Sequence, residues 1–356
     1  MDDSVPQGSS VVALAKLHGI GSVAICGVRV WLVLALLLCA CTDDDTAGLL
    51  AGGRPYPQEP PQGQQVLLDP ADIGGQRTLR LGVSPYANDE QTRRDLAPLV
   101  SFLSRVLGVP IELVTSTTYG ALVSSTVDGD VDIAMLSPLS YVQARQLSPG
   151  IELAARAISQ GSPEYSAYLV VRMNDPARSL GDLRGRRVAW VDPLSASGYL
   201  YPRRVLTSAR LDPDRLFSQQ KFFGTHDAAL HAVINGEADV AAVASGALAR
   251  ACRPQDSGLA NTVRVIHKCG RLPYDAVAVR TGLSRAAVAK IGWAFQAVSN
   301  RTEEGRRILA GTWAISGWLP ADDSVYDGVR SHLRQVPALV APVALAELAS
   351  EATDGR

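Results

Sequence analysis

The chain has 356 residues, 47% of them apolar and 19% charged, with a formal net charge of −1. That length exceeds a usual single domain, and the composition is that of an ordered globular protein rather than a disordered one. A near-neutral chain has no basic field to attract nucleic acid, so an anionic partner must be captured by a local site.

In chain order, the first informative element is Val30–Leu38, an unbroken apolar run preceded by Arg29 and closed by Leu38-Cys39-Ala40-Cys41. It is too short to span a bilayer comfortably and has the charged, apolar, small-residue layout of a secretory signal. Its end resembles a bacterial lipobox, which makes residues 1–40 a signal peptide and Cys41 the lipidated first residue of the mature protein. A start near Val28 gives a more compact signal than one at Met1. Residues 41–77 are rich in Gly, Pro, Gln and Asp and read as the lipidated cysteine followed by a flexible tether. The expected location is therefore the periplasm or cell envelope, with the chain held to a membrane by its N-terminal lipid. Two further mature cysteines, Cys252 and Cys269, are candidates for a disulfide worth about 3 kcal/mol on chain-entropy grounds. Two buried free thiols are the alternative.

From Leu79 onward, short apolar runs alternate with helical patterns. The runs are Leu79–Val83, Ile111–Val114, Val131–Leu136, Leu169–Arg172, Val188–Val191, Val240–Ala244 and Val263–His267. Between them, Leu96, Leu99, Val100 and Leu103, and later Leu230, Val233 and Ile234, fall at the spacing of helices with one buried face. Ser284 to Val298 reads as a further packed helix. The pattern predicts an α/β fold with mainly parallel sheets.

Two loops carry most of the chemical information. Ser195-Ala196-Ser197-Gly198-Tyr199 follows the run Val188–Val191, and Gly224-Thr225-His226-Asp227 follows Lys221–Phe223. Each places small hydroxyl or Gly residues where a strand gives way to a helix, the arrangement that aims backbone N–H groups at an anion. Ser195 and Ser197 supply hydroxyl donors, while Ala196, Ser197 and Gly198 supply N–H groups. Thr225 is a natural N-cap that sets the His226 ring at the mouth of the second helix. Asp227 would repel a bound anion and is expected to face away, favouring the helix N-terminus instead.

Six stretches in order, spanning about 240 residues, carry a family resemblance. They are Leu81-Gly82-Val83-Ser84-Pro85-Tyr86, Asp132 through Tyr141, Leu183 through Ala189, the two loops above, and Leu272-Pro273-Tyr274-Asp275. The chain from about Thr78 to Leu319 thereby resembles the phosphonate-binding family of periplasmic solute receptors. The resemblance implies a type II periplasmic-binding-protein fold, with two α/β lobes joined by a two-strand hinge and closing on a phosphorus oxyanion. Lobe one would comprise 78–170 plus 275–340 and lobe two 171–274, with 341–356 as a tail. It also implies that the Ser195–Gly198 segment, Thr225 and His226 contact the oxyanion, and that Tyr119 and Tyr165 line the cleft from lobe one. Asp275 matches a family acid that accepts a hydrogen bond from a P–OH or an ammonium. The family's segment usually reads Ser-Thr-Ser-Gly, so Ala196 removes one hydroxyl. Relatives that bind aminoalkyl phosphonates carry a second acid about twenty residues after the histidine, where this chain has Ala244-Ser245-Gly246-Ala247. That difference favours phosphite, a small alkylphosphonate or a phosphate-like ligand.

The expected function is capture of such an anion for the permease of an ABC importer by a monomeric lipoprotein. The alternative is a sensory or degenerate receptor that presents another small anion to a membrane sensor. A hydrolase is disfavoured. No G-x-S-x-G elbow is present, and adjacent His226 and Asp227 are poorly placed for the carboxylate to orient that imidazole. Histidine and cysteine are scarce and lack ligand spacing, so neither a metal nor another cofactor is expected.

Overall fold

The computed structural model describes residues 65–85, 89–251, 262–312 and 315–336. The expected signal segment, Cys41, Tyr86, Cys252 and the tail 341–356 lie outside them. Cys269 is buried and forms no disulfide among the described residues. Residues 65–77, read from sequence as the end of the tether, pack onto the first sheet. Leu68 and Ile73 are buried, Val66 N–H and Leu68 N–H donate to the carbonyls of Val106 and Leu107, and Asp69 caps a 3-10 turn at Pro70–Ile73.

The first sheet begins with β1 (Leu79–Val83), β2 (Ile111–Thr115) and β3 (Ile133–Leu136), linked through helices α1 (Asp89–Leu107) and α2 (Tyr119–Val127). Helix α1 buries Leu96, Leu99, Leu103 and Val106, a stripe at three- and four-residue spacing that faces the sheet. Helix α3 (Pro138–Leu147) then leads to β4 (Glu152–Ile158). The chain leaves this sheet through 159–163 and enters the second with β5 (Glu164–Arg172).

The second sheet adds β6 (Arg187–Trp190), a helical turn at Ala196–Leu200, α4 (Tyr201–Ser208) and α5 (Pro213–Leu216). It continues through β7 (Gln219–Phe222), α6 (His226–Ile234), β8 (Val240–Ala244), α7 (Ser245–Ala251) and β9 (Val263–Pro273). Tyr274 and Asp275 carry the chain back to β10 (Ala276–Val279), after which α8 (Arg285–Gln296), α9 (Glu303–Leu309), β11 (Gly317–Leu319) and α10 (Asp327–Arg334) complete the described chain.

The strand orders are β11-β4-β10-β3-β1-β2 and β7-β6-β8-β5-β9. Within each sheet the strands joined by helical crossovers are parallel, as β1 is to β2 and β3, and β6 to β7 and β8. The strand arriving from the other sheet inserts antiparallel: β10 between β3 and β4, and β5 between β8 and β9. The sheets are thus mixed rather than mainly parallel, because each passage between them ends in an inserted strand running the opposite way. The first passage lies before Glu164, ahead of the limit at 170 expected from sequence.

The far ends of β1, β3 and β10 are tied by one carboxylate. Asp132 is fully buried and accepts from Arg80 N–H and Arg280 Nε, both at 2.7 Å, while its backbone N–H donates to the Arg80 carbonyl and its carbonyl accepts from Arg280 N–H. Replacing Asp132 with Ala leaves the Arg280 guanidinium without its buried partner, which costs about 3–5 kcal/mol. Urea denaturation of Asp132→Ala should show that loss; a cost below about 1 kcal/mol would contradict the assignment.

Candidate functional site

A cavity of about 90 Å3 lies where the two sheets face each other, with room for several waters or a small oxyanion. Tyr119, Tyr165, Ser195, His226 and Asp275, all expected from sequence, line it. Ala196, Ser197, Gly198 and Thr225, also expected there, are not among the lining residues.

The Ser195 segment follows β6. Ser195 is the N-cap, and its Oγ accepts from Gly198 N–H at 3.0 Å. Gly198 N–H is therefore committed within the turn, whereas sequence reasoning had it free to face an anion. The turn is wound with one extra residue: Leu200 N–H donates to the Ser195 carbonyl and Tyr201 N–H to that of Ala196. Such π-turns concentrate at functional sites. They also leave early donors open. Among the described residues the N–H groups of Ala196 and Ser197 have no acceptor. A glycine is required at 198 because an added Cβ would collide with the Val191 side chain.

Ser197 Oγ accepts from the Tyr165 hydroxyl at 3.2 Å and stands 3.4 Å from His226 Nε2. Tyr165 sits on β5 and so belongs to the second sheet, not to lobe one as expected, because β5 pairs with β8 and β9. Its ring packs on Tyr274 with centroids 4.8 Å apart.

Thr225 caps α6 by accepting from Ala228 N–H at 3.1 Å, which fixes His226 at the first helical position. The backbone N–H of Ala244, at the end of β8, donates to His226 Nδ1 at 3.1 Å. A ring nitrogen that accepts from an amide carries no proton, so the neutral imidazole holds its hydrogen on Nε2. Burial, then the positive charge of Arg250, pushes the imidazole down to about 3. The ring is an uncharged donor at any physiological pH.

From the first sheet come Tyr119, at the start of α2, Ser137, and the returning segment Tyr274-Asp275. Tyr119 N–H donates across the cleft to Asp192 Oδ2 at 3.4 Å, and Ser137 Oγ donates to the Leu194 carbonyl at 3.0 Å. Burial pushes the Asp192 carboxyl up to about 6. Burial also raises both cleft tyrosines, with Asp192 next for Tyr119 and Asp275 next for Tyr165, so their hydroxyls act as neutral donors.

Arg250 was not singled out from sequence. It lines the cavity from α7 and ion-pairs Asp227 at 2.8 Å. Asp227 therefore turns to a guanidinium rather than simply away from the site. No spacing rule links residues 227 and 250; only the packing of α7 beside α6 joins them.

The lowered imidazole has a thermodynamic consequence. A base whose folded pKa lies near 3, below its unfolded value of 6.5, contributes stability above pH 6.5 that is lost as pH falls toward 3. The stability of wild type relative to His226→Asn should therefore fall on acidification from pH 6.5, by up to about 1.4 kcal/mol per pH unit. Urea titrations at pH 7.5, 5.5 and 4.5 read this slope directly; a pH-independent difference would show that the imidazole ionises normally.

The model of one family, described as ABC transporter, phosphonate, periplasmic substrate-binding protein, matches residues 81–326. The chain is 25% identical over 277 residues to a phosphate-import protein PhnD of Mycolicibacterium smegmatis, covering 72% of this chain and 85% of that one. It is 26% identical over 260 residues to a phosphonates-binding periplasmic protein of Escherichia coli, covering 72% and 75%. Its fold matches that of PhnD1 from Prochlorococcus marinus, solved in complex with methylphosphonate, with a TM-score of 0.66, 19% identity, and coverage of 73% of this chain and 98% of that one. With a match spanning more than half its length, and with two mixed sheets built on the type II plan, the chain belongs to the periplasmic substrate-binding proteins of phosphonate ABC transporters.

Proposed function

We propose that this protein is a lipid-anchored receptor of the cell envelope, held through Cys41, that captures a small phosphorus oxyanion and delivers it to an ABC importer. The observation that carries the reading is the neutral Nε2–H of His226 beside Ser197, with two N–H groups at the start of the same turn that meet no acceptor among the described residues. Uncharged, preorganised donors can hold a dehydrated oxyanion at little reorganisation cost, and hydrogen bonds to a charged acceptor are the strong ones. The two passages between the sheets, at 159–163 and Tyr274-Asp275, would serve as the hinge about which the lobes close.

The chemistry favours phosphite, a small alkylphosphonate or phosphate over an aminoalkyl ligand. Ala244, Gly246 and Ala247 line the wall where an ammonium would need a carboxylate. Asp275 tolerates an oxyanion by accepting a hydrogen bond from P–OH. The names of the two curated relatives, one importing phosphate and the other binding phosphonates, support the same ligand class. A hydrolytic role is disfavoured by the same geometry. His226 Nδ1 takes a backbone N–H rather than a carboxylate, and Asp227 is held by Arg250, so no relay can draw a proton onto Nε2.

Calorimetric titration with phosphite, methylphosphonate, phosphate and sulfate tests the proposal. One phosphorus oxyanion should bind at micromolar affinity or tighter. Sulfate, which has no proton to offer Asp275 at neutral pH, should bind at least tenfold more weakly. His226→Ala and Ser197→Ala should each weaken binding by about 10- to 100-fold, the worth of one charge-assisted hydrogen bond. Absence of heat with all three phosphorus compounds would overturn the reading.

A further inference from the structure

Arg250 brings a positive charge to a cleft whose other donors, at His226 and the Ser195 turn, are uncharged. Its guanidinium spends one N–H on Asp227, at 2.8 Å, and no other acceptor for it is present among the described residues. The group offers five donors, of which one is engaged among the described residues. Asp227 shares that charge, but its side chain is 47% exposed, against 24% for Arg250, so solvent screens the carboxylate more than the guanidinium. The guanidinium is also close enough to the cleft for its field to depress the His226 imidazole and to lower the otherwise raised Tyr119 hydroxyl.

The surroundings add direction. Arg250 lies on α7, whose first turn, with the end of β8, presents Ala244, Gly246 and Ala247 to the cavity. Apart from Arg250, the described side chains of this wall offer neither donor nor carboxylate, which suits it to the part of a phosphonate beyond its oxygens. Among the described residues, the charged groups bordering the cavity are Arg250 on this side and Asp275 on the returning segment, with Asp227 paired to Arg250. A cationic substituent on this side would meet a guanidinium, whereas a carboxylate would gain a second, forked partner.

We propose that Arg250 makes the substituent end of the cleft an anion-accepting subsite, so that the preferred ligands are phosphonates bearing a second acidic group. This rests on the phosphorus-oxyanion reading above. Asp227 holds the guanidinium in place and competes with the ligand's second acid for it.

The test compares methylphosphonate, phosphonoacetate and 2-aminoethylphosphonate on the wild-type protein, Arg250→Gln, Arg250→Lys and Asp227→Asn, by calorimetry. Wild type should bind phosphonoacetate at least tenfold more tightly than 2-aminoethylphosphonate. Arg250→Gln should shrink that ratio by tenfold or more. Arg250→Lys should restore part of it, and Asp227→Asn should enlarge it. A wild type that prefers the aminoethyl compound, or a preference unchanged in Arg250→Gln, would overturn the subsite alone. Failure of wild type to bind any of the three would overturn the phosphorus reading and the subsite with it.

Discussion

The backbone N–H of Ala244 donates to Nδ1 of His226, and this one hydrogen bond decides the protonation, tautomer and direction of the ring that faces the cleft. Because the donor belongs to the end of β8, the imidazole is positioned by sheet registry rather than by another side chain. The proton is left on Nε2, 3.4 Å from Ser197 Oγ, and burial keeps a second proton off. A charged imidazolium would attract anions more strongly at long range but would discriminate less among them. A neutral donor rewards only an acceptor placed within hydrogen-bond reach.

That arrangement depends in turn on how the sheets are connected. The inserted strands β5 and β10 each lie beside a strand that ends at the cavity, so Tyr165 and Asp275 reach the cleft directly from the passages between sheets. The last described helix, α10, and the residues flanking it bridge both halves. The His332 ring stacks on Tyr201 at 4.3 Å, Arg204 Nε donates to Gln335 Oε1, and the Tyr326 hydroxyl donates to the Tyr274 carbonyl. Movement of the lobes would be felt at the Asp192 to Tyr119 and Ser137 to Leu194 contacts on the cavity rim.

Much of this was legible in the sequence because the informative residues sit at strand ends, where local rules apply. Ser195, Thr225 and His226 could be placed by capping chemistry, and each lies where a strand gives way to a helix. Strand β4 escapes the pattern because its sequence, Glu-Leu-Ala-Ala-Arg-Ala-Ile, interrupts the apolar run with Arg156, and β11, at three residues, is too short to register against background. Antiparallel insertion is a property of topology that periodicity does not encode. The assignment of Tyr165 failed for the same reason, since its sheet is set by pairing partners some eighty to a hundred residues away. Gly198 was credited with a free N–H because the extra residue in its turn, which brings the Ser195 hydroxyl onto that amide, leaves no mark in the sequence. Arg250 escaped because nothing local marks an arginine near the end of a short helix as a cleft residue.

Nitrogen-15 NMR of histidine-labelled protein, recorded from pH 7.5 to 4.5 with and without saturating methylphosphonate, tests the central claim most directly. In the free protein, the account predicts a His226 ring that stays neutral across this range, with Nδ1 unprotonated and the hydrogen on Nε2. Addition of methylphosphonate should shift Nε2 and leave Nδ1 nearly unchanged. A ring that titrates near its ordinary value of 6.5, or that carries its hydrogen on Nδ1, or an Nε2 signal indifferent to methylphosphonate, would contradict the account.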